Sequence, residues 1–142
     1  MTGLWVLLFA LGFSGCAAWG IRRTNGAFRD GARADDRERL SAVDIGAELG
    51  ERATLVQFSS AFCAPCRATR VLLTDIAKTV DGVATIDIDA EENLDLVRRL
   101  HIMRTPTVLV LDAAGTVSTR ASGLPRREQV LAALGNAVGE RQ

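Results

Sequence analysis

The first segment of the chain is almost uniformly apolar, and residues 1–21 contain no charged side chain. Folded as a helix, residues 3–21 would be about 28 Å long, close to the hydrocarbon thickness of a bilayer. Trp5 and Trp19 lie near the two ends, where indole rings settle at membrane interfaces. The pattern predicts one membrane-spanning helix over residues 1–21, in contact with lipid through residues 3–21.

After this segment the hydrophobic pattern changes twice. Residues 22–39 are polar and charged with scattered glycines, which predicts a flexible linker. Over residues 40–138, strand-like runs alternate with stretches whose apolar residues recur every three or four positions. The predicted strands are 53–58, 83–88, 107–111 and 116–121. Helices are predicted from Ser41 to Gly50, from the cysteine pair to about residue 79, over 92–100, and from near Pro125. This order predicts one α/β domain with a mixed sheet covered on both faces, followed by a short tail at 139–142.

Apolar spacing also predicts which helix faces are buried. The expected buried residues of the long helix are Ala68, Val71, Leu72, Ile76 and Val80. Those of the next helix are Leu94, Val97 and Leu100, and those of the last are Val130, Leu131, Leu134 and Val138. Ser41 and Asp44 have the spacing of a capping box, with Leu40 placed to contact Ile45 across the helix start.

Composition and charge narrow the class of protein. The 142 residues include 17 basic and 17 acidic ones, a balance that gives no reason to propose nucleic acid as a partner. Three cysteines exclude a scaffold held by several disulfides. Arg22 and Arg23 end the apolar run, and four further arginines follow by residue 39. The positive-inside tendency therefore predicts a single-pass membrane protein whose domain faces the cytoplasm, with the extracytoplasmic face as the alternative.

Two other interpretations of the first segment are alternatives to an uncleaved anchor. A cleaved signal peptide carries a basic residue before its apolar core, and this chain has none there. The run Phe13-Ser14-Gly15-Cys16 resembles a bacterial lipoprotein cleavage box, in which Cys16 would be lipidated. Phe13 stands where leucine is usual, and the basic start is missing here as well. The uncleaved anchor is therefore favoured, with Cys16 a small residue of the membrane helix.

The strongest chemical signal is the motif Cys63-Ala64-Pro65-Cys66, placed between a predicted strand and a predicted helix. Two intervening residues leave both sulfurs within disulfide reach. At a helix start, backbone N–H groups and the helix dipole favour the thiolate and lower the pKa of Cys63. A zinc site needs four ligands, and only Cys16 and His101 remain to complete one. The motif therefore indicates dithiol–disulfide chemistry. The chain has no metal, flavin or nucleotide-binding signature, so no cofactor is expected and electrons must come from a partner.

Together with an isolated Thr105-Pro106 about forty residues later, this motif resembles the thioredoxin family over residues 40–138. The resemblance implies a thioredoxin-like fold, with Cys63 as the attacking thiolate and Cys66 as the shielded resolving thiol. It also implies a cis peptide at Thr105-Pro106, where the backbone of Thr105 would pair with an extended substrate. The residues that the resemblance places at the substrate-binding surface are Phe62, Ala64, Pro65, Thr105 and Pro106.

Two positions depart from the family pattern. Gln57 stands where the family often has a buried acid that helps move the proton of the resolving cysteine, and Thr85 stands where a lysine near that acid is common. Both members of the ion pair are thus absent together. The absence of both lowers the stability of the fold less than burying one of the two charges without its partner. We expect a more neutral pocket and a slower second step of the reaction.

These observations predict a membrane-anchored thiol–disulfide oxidoreductase that reduces protein disulfides through Cys63 and Cys66. Its expected partners are disulfide-containing proteins and a separate thiol electron donor, such as a thioredoxin reductase or a transmembrane reductant. Two alternatives stay open. One is a non-catalytic peptide-docking module in which the cysteines act as a redox switch. The other is an exported, lipoprotein-type thioredoxin that serves envelope protein or cytochrome maturation.

Overall fold

The computed structural model describes residues 2–30 and 38–139. Its helices are α1 (Thr2–Thr24), α2 (Ala42–Ile45), α3 (Ala64–Thr79), α4 (Leu94–Arg99) and α5 (Arg127–Gly139). Its strands are β1 (Phe28–Asp30), β2 (Ala53–Ser59), β3 (Val83–Asp89), β4 (Thr107–Asp112) and β5 (Val117–Ser122). The predicted α/β class and the order of elements after residue 40 are confirmed.

The five strands form one mixed sheet in the order β1-β5-β4-β2-β3. Strand β3 runs parallel to β2, and the other three pairings are antiparallel. All seven residues of β2 are buried, because helices cover both faces of the sheet and leave no polar face. On one face, α2 and α4 pack over a core that includes Val56, Phe58, Leu109 and Leu111. On the other, α3 and α5 pack over a core that includes Leu55, Val108 and Val110. Consecutive residues of β2 thus enter opposite cores.

Helix α1 carries most of the exposed large apolar side chains of the described residues. Residues Gly3–Thr24 form the one helix, within the described ranges, that is long and apolar enough to cross a membrane. At 1.5 Å per residue these 22 residues span about 33 Å. Large side chains such as Trp5, Phe9 and Phe13 are exposed on it. The predicted apolar helix is therefore present, and it continues three residues beyond the predicted end at residue 21.

The flexible linker predicted over residues 22–39 is wrong where the structure describes it. Residues 22–24 belong to α1, and Phe28–Asp30 form β1, which pairs antiparallel with β5. Arg39 makes an isolated bridge to Thr116. A three-residue edge strand is too short to show an alternating hydrophobic pattern. Its hydrogen bonds also go to a partner distant in sequence, so no local signal predicts it. Residues 31–37 of the predicted linker and residues 140–142 of the predicted tail lie outside the described residues.

The predicted helix faces are confirmed in part: Ile76, Leu100, Val130 and Leu134 are buried as expected, whereas other predicted residues are not. Helix α3 buries Cys66, Thr69, Leu73 and Ile76, whereas Ala68 and Val71 are exposed. Helix α4 buries Leu96 and leaves Leu94 exposed, and α5 buries Ala133 and Ala137 but leaves Leu131 exposed. Small and polar residues allow the helices to approach the sheet closely. A pattern that counts large apolar side chains therefore misses the small and polar residues of these faces and includes some exposed apolar residues beside them.

The predicted capping box at α2 is confirmed. The backbone N–H of Ser41 donates to Asp44 Oδ2 at 2.7 Å, and the backbone N–H of Asp44 donates to Ser41 Oγ at 3.3 Å. Arg99 at the end of α4 donates to Asp44 Oδ1 at 2.8 Å. Hydrogen bonds from the Ser41 side chain, the Arg99 side chain and the Ser41 backbone, in that order, hold the pKa of Asp44 well below its usual range.

We expect Asp44→Asn to lower the free energy of unfolding at neutral pH by about 1 kcal/mol, a typical cost of weakening a helix cap. Because the pKa of Asp44 is lower in the folded than in the unfolded chain, its contribution is complete above the usual carboxyl pKa. It is lost as the pH falls below that value. Urea unfolding in detergent micelles should show the difference at neutral pH and a shrinking one from about pH 4 to about pH 2.

Asp95→Asn is the control for this pH dependence. Asp95 is fully exposed and contacts Arg98 on the helix surface at 3.4 Å, a pairing of the kind that contributes little. This variant should match the parent at every pH. A loss for Asp44→Asn that is as large in acid as at neutral pH would contradict the proposed role of the carboxylate charge.

Candidate active site

The two cysteines lie at the first turn of α3. Cys63 is the N-cap residue, and its Sγ accepts a hydrogen bond from the backbone N–H of Cys66 at 3.2 Å. Pro65 lies within the first turn, where the helix needs no N–H from it. Cys63 and Cys66 form a disulfide, with their Cα atoms 5.2 Å apart. The prediction that this spacing brings both sulfurs together at a helix start is confirmed.

The two sulfurs differ in their access to solvent. Cys66 is 1% exposed, and it belongs to the face of α3 that packs against the sheet. Cys63 is half-buried, and Phe62 beside it is fully exposed. Among the residues that the structure describes, the remaining cysteine, Cys16, lies exposed on α1. An incoming molecule therefore meets Cys63 before it can reach Cys66.

The Thr105-Pro106 peptide bond is cis, as the resemblance predicted. Ser60, in the loop after β2, is hydrogen-bonded through Oγ to Thr105 Oγ1 at 3.1 Å. The carbonyl of Pro106 accepts a hydrogen bond from the backbone N–H of Gly123 at 2.7 Å. These bonds hold the loop that contains Thr105 and Pro106, here called the proline loop, between the loop that precedes α3 and the end of β5.

An open groove of 590 Å³ runs between the cysteine motif and the proline loop. Four of the five residues predicted for the substrate-binding surface line it: Ala64, Pro65, Thr105 and Pro106. Phe62, the fifth, is not among the lining residues. The lining also includes Asn25, Ala68, Arg104, Gly123 and Leu124. Asn25 was not among the predicted groove residues because it falls in the predicted linker, although Asn25-Gly26 is itself a turn signal.

Gln57 lies behind the buried cysteine. Its side chain is 1% exposed, and Nε2 donates to the backbone carbonyl of Cys66 at 2.8 Å. Oε1 is buried and has no hydrogen-bond partner among the described residues. Thr85 pairs with Leu55 in the β2–β3 register, while Gln57 lies opposite Asp87, whose carboxylate pairs with Arg70. A neutral amide therefore occupies the position directly behind Cys66.

No metal centre accompanies these groups in the described ranges, since residues 2–30 and 38–139 contain no cluster of three or more His, Cys, Asp or Glu side chains placed to bind one. His101 is exposed in the turn after α4. A zinc site at the cysteine pair would therefore need ligands from outside the described residues.

Gly123 is required by the close approach of the chain that leads out of α1. It has φ +95°, a conformation that favours glycine, and an added Cβ would lie 1.9 Å from Asn25 Oδ1. We expect Gly123→Ala to lower the free energy of unfolding by about 1–3 kcal/mol and to displace Asn25 from the groove. Urea unfolding in micelles measures the first effect, and protease sensitivity after α1 measures the second.

Gly135→Ala is the matched control, because Gly135 lies in α5 with no atom within 4 Å of an added Cβ. It should leave the protein unchanged or stabilise it by about 0.5–1 kcal/mol. If Gly123→Ala unfolds at the same urea concentration as the parent, the close contact with Asn25 is not maintained in solution.

A family model described as Thioredoxin matches residues 44–135. Thioredoxin of Alicyclobacillus acidocaldarius is 30% identical over 90 residues, which span 63% of this chain and 85% of that protein. Thioredoxin domain-containing protein 2 of Homo sapiens is 35% identical over 71 residues, which span 48% of this chain but 13% of that protein. The solved structure of chloroplastic thioredoxin z superposes with a TM-score of 0.56 at 27% identity, covering 70% of this chain and 92% of that one. The family match includes both cysteines and the cis-proline, while α1 and β1 lie outside it.

Proposed function

Because the chain belongs to the thioredoxin family, we propose that it is a membrane-anchored protein-disulfide reductase. The family and the Cys63–Cys66 pair support a thiol–disulfide oxidoreductase. The observation that carries the finer proposal is the position of that pair at a helix N-terminus, beside a groove with a cis-proline. A sulfur at this place is half-exposed, and the helix start favours its thiolate form.

The proposed reaction has two exchange steps. The Cys63 thiolate attacks one sulfur of a substrate disulfide, which forms a Cys63–substrate mixed disulfide and expels the other substrate sulfur as a thiolate. The Cys66 thiolate then attacks Cys63 Sγ, forms the Cys63–Cys66 disulfide and expels the second substrate sulfur. Two electrons pass to the substrate, so a separate thiol donor must reduce the pair again. The partners are thus a disulfide-containing protein and a dithiol reductant.

The groove supplies the proposed substrate contact. The backbone of Thr105, adjacent to the cis-proline, would pair with an extended substrate segment and add a strand at this position. Ala64 and Pro65 form the opposite wall and have no charged groups of their own. This wall accepts varied side chains, which suits a reductase that acts on several proteins.

The test is the reduction of insulin disulfides by the full chain in detergent micelles, with dithiothreitol as the electron donor. We expect catalytic turnover above the rate of dithiothreitol alone. Cys16→Ser is the control, since Cys16 lies on α1 away from the cysteine motif in sequence, and it should retain the parental rate. Peptide binding without turnover would favour the docking and redox-switch module instead.

Helix α1 supports anchoring, and the arginines in its last turn, Arg22 and Arg23, together with those that follow it in the sequence, favour a cytoplasmic domain. A reporter enzyme fused after residue 142 tests this side of the membrane. Activity of a reporter that functions only in the cytoplasm supports the proposed topology. Activity of one that functions only outside it would indicate the exported alternative, in which the same chemistry serves envelope proteins.

A further inference from the structure

The membrane helix ends at the wall of the active-site groove. Thr24 is the last residue of α1, and the backbone N–H of Asn25 continues the helical pattern by donating to the carbonyl of Ile21 at 3.0 Å. Asn25 itself lines the groove together with Pro65 and Pro106. No spacer of any length therefore separates the end of the anchor from the groove.

Direct contacts hold this junction to the domain. The backbone N–H of Gly26 donates to the carbonyl of Ser122 at 2.7 Å. Arg104 Nη2, from the groove wall, donates to Asn25 Oδ1 at 3.2 Å and to the Ser122 carbonyl at 2.9 Å. Immediately afterwards β1 pairs with β5, so residues 25–30 are held by contacts with the domain and do not form a flexible tether. The orientation of the domain on its anchor is consequently restricted.

The dimensions place the groove at the level of the lipid headgroups. From Ile21, where the apolar run ends, to Asn25 the rise along a helix is about 6 Å. The headgroup region on each side of the hydrocarbon core is about 5–7 Å thick. A substrate in the groove must therefore bring its disulfide to the membrane surface.

Resting on the proposed function, we infer that the substrates are disulfides in polypeptide segments at the membrane surface, such as segments adjoining the transmembrane helices of other membrane proteins. A domain on a flexible tether would sweep a wide volume and reduce disulfides at many heights above the bilayer. This domain holds its groove at one height, which raises the effective concentration of surface disulfides and lowers that of distant ones.

The experiment uses the full chain in liposomes with two transmembrane peptides that carry the same disulfide loop. In one peptide the loop follows the membrane helix directly. In the other a rigid 30-residue helical spacer lifts it by about 45 Å. We expect the surface loop to be reduced about tenfold faster or more, because both peptides share the membrane and differ only in height. Equal rates, or faster reduction of the distant loop, would overturn the inference.

A spacer variant of the enzyme is the matched control. Insertion of about 60 Gly and Ser residues between Thr24 and Asn25 keeps Asn25 on the domain and adds a flexible reach of about 43 Å, which brings the groove to the height of the distant loop. The preference for the surface loop should then fall to about twofold or less, while insulin reduction in micelles stays at the parental rate. An unchanged preference in this variant would show that the anchor does not set the height of the groove.

A second measurement does not depend on activity. In a chain with all three cysteines replaced by serine, Leu124→Cys places a fluorophore at the groove, and Asp81→Cys places one before β3. Leu124 lines the groove beside the cysteine motif, and that motif follows the end of β2. Asp81 precedes the start of β3, which runs parallel to β2, so the two labels lie at opposite ends of the sheet. A quencher on lipid headgroups should quench the first label strongly and the second weakly. Equal quenching overturns the inference even if the enzyme reduces insulin, whereas strong quenching with no reductase activity contradicts the proposed function alone.

Discussion

Replacing Cys63 with serine should lower insulin reduction by about a thousandfold or more, to the background of the chemical reductant. A serine hydroxyl stays protonated at neutral pH, and it forms no stable bond to a substrate sulfur. Cys63 is also the one sulfur of the pair that an incoming disulfide can reach, since Cys66 is 1% exposed. The initial rate of insulin precipitation, with the full chain in micelles, measures this loss.

Cys66→Ser is the informative partner of that variant. It keeps the attacking sulfur and lacks the resolving one, so turnover should also fall, but with a mixed disulfide accumulating between Cys63 and the substrate. Non-reducing electrophoresis and mass spectrometry would detect this adduct. Both variants should unfold at the same temperature as the reduced parent. A trapped adduct on Cys66 in the Cys63→Ser variant, and none in Cys66→Ser, would reverse the proposed roles.

Gln57→Asp is expected to make stability strongly dependent on pH. The carboxyl would be buried beside Cys66 without a lysine to pair with it, because the one lysine of the chain, Lys78, lies in the last turn of α3 and Cys66 lies in the first. Burial raises the pKa of such a group above its unfolded value, so the folded chain favours the protonated form. The loss of stability caused by ionising this buried carboxyl is absent at pH values below its pKa in the unfolded chain. The loss grows as the pH rises towards the pKa in the folded chain and is constant above it. At that plateau we expect a loss of about 3–5 kcal/mol in the free energy of unfolding.

The same substitution should accelerate the second exchange step near neutral pH. A carboxylate behind Cys66 can accept its proton, which the Gln57 amide cannot do. Rapid-mixing measurement of mixed-disulfide decay gives this rate directly. Gln57→Leu is the control of similar size, since it removes the amide without adding a titratable group, and its stability change should not vary with pH. A pH-independent loss in Gln57→Asp, with no gain in the rate of decay, would contradict the neutral-pocket interpretation.

Much of the active site was predictable because its determinants are local. A cysteine pair spaced by two residues at a strand-to-helix junction brings two sulfurs together regardless of the rest of the fold. The buried strand at residues 107–111 was predictable for a similar reason, since an unbroken apolar run needs cover on both faces. The cis bond at Thr105-Pro106 came from the family resemblance and not from the residues themselves.

The helix faces show where pattern reasoning reaches its limit. Val71 was expected to be buried and is 70% exposed, while Thr69 of the same helix is fully buried. Thr69 tolerates burial because its hydroxyl donates to the backbone carbonyl of Pro65 at 2.9 Å. A hydrophobicity pattern does not predict that a polar side chain is hydrogen-bonded to the helix backbone and can therefore be buried.

The sequence alone determined the elements and the chemistry: an apolar helix, an alternating α/β domain and a dithiol at a helix start, each encoded within a few neighbouring residues. Tertiary structure alone decided how the anchor meets the domain. Asn25 and Gly26 meet the domain through Arg104 and the backbone of Ser122, and β1 pairs with residues 119–121 of β5. These partners lie about 80 to 100 residues further along the chain. Those contacts depend on which sheet edge is left unpaired after the domain folds, and no local spacing carries that information.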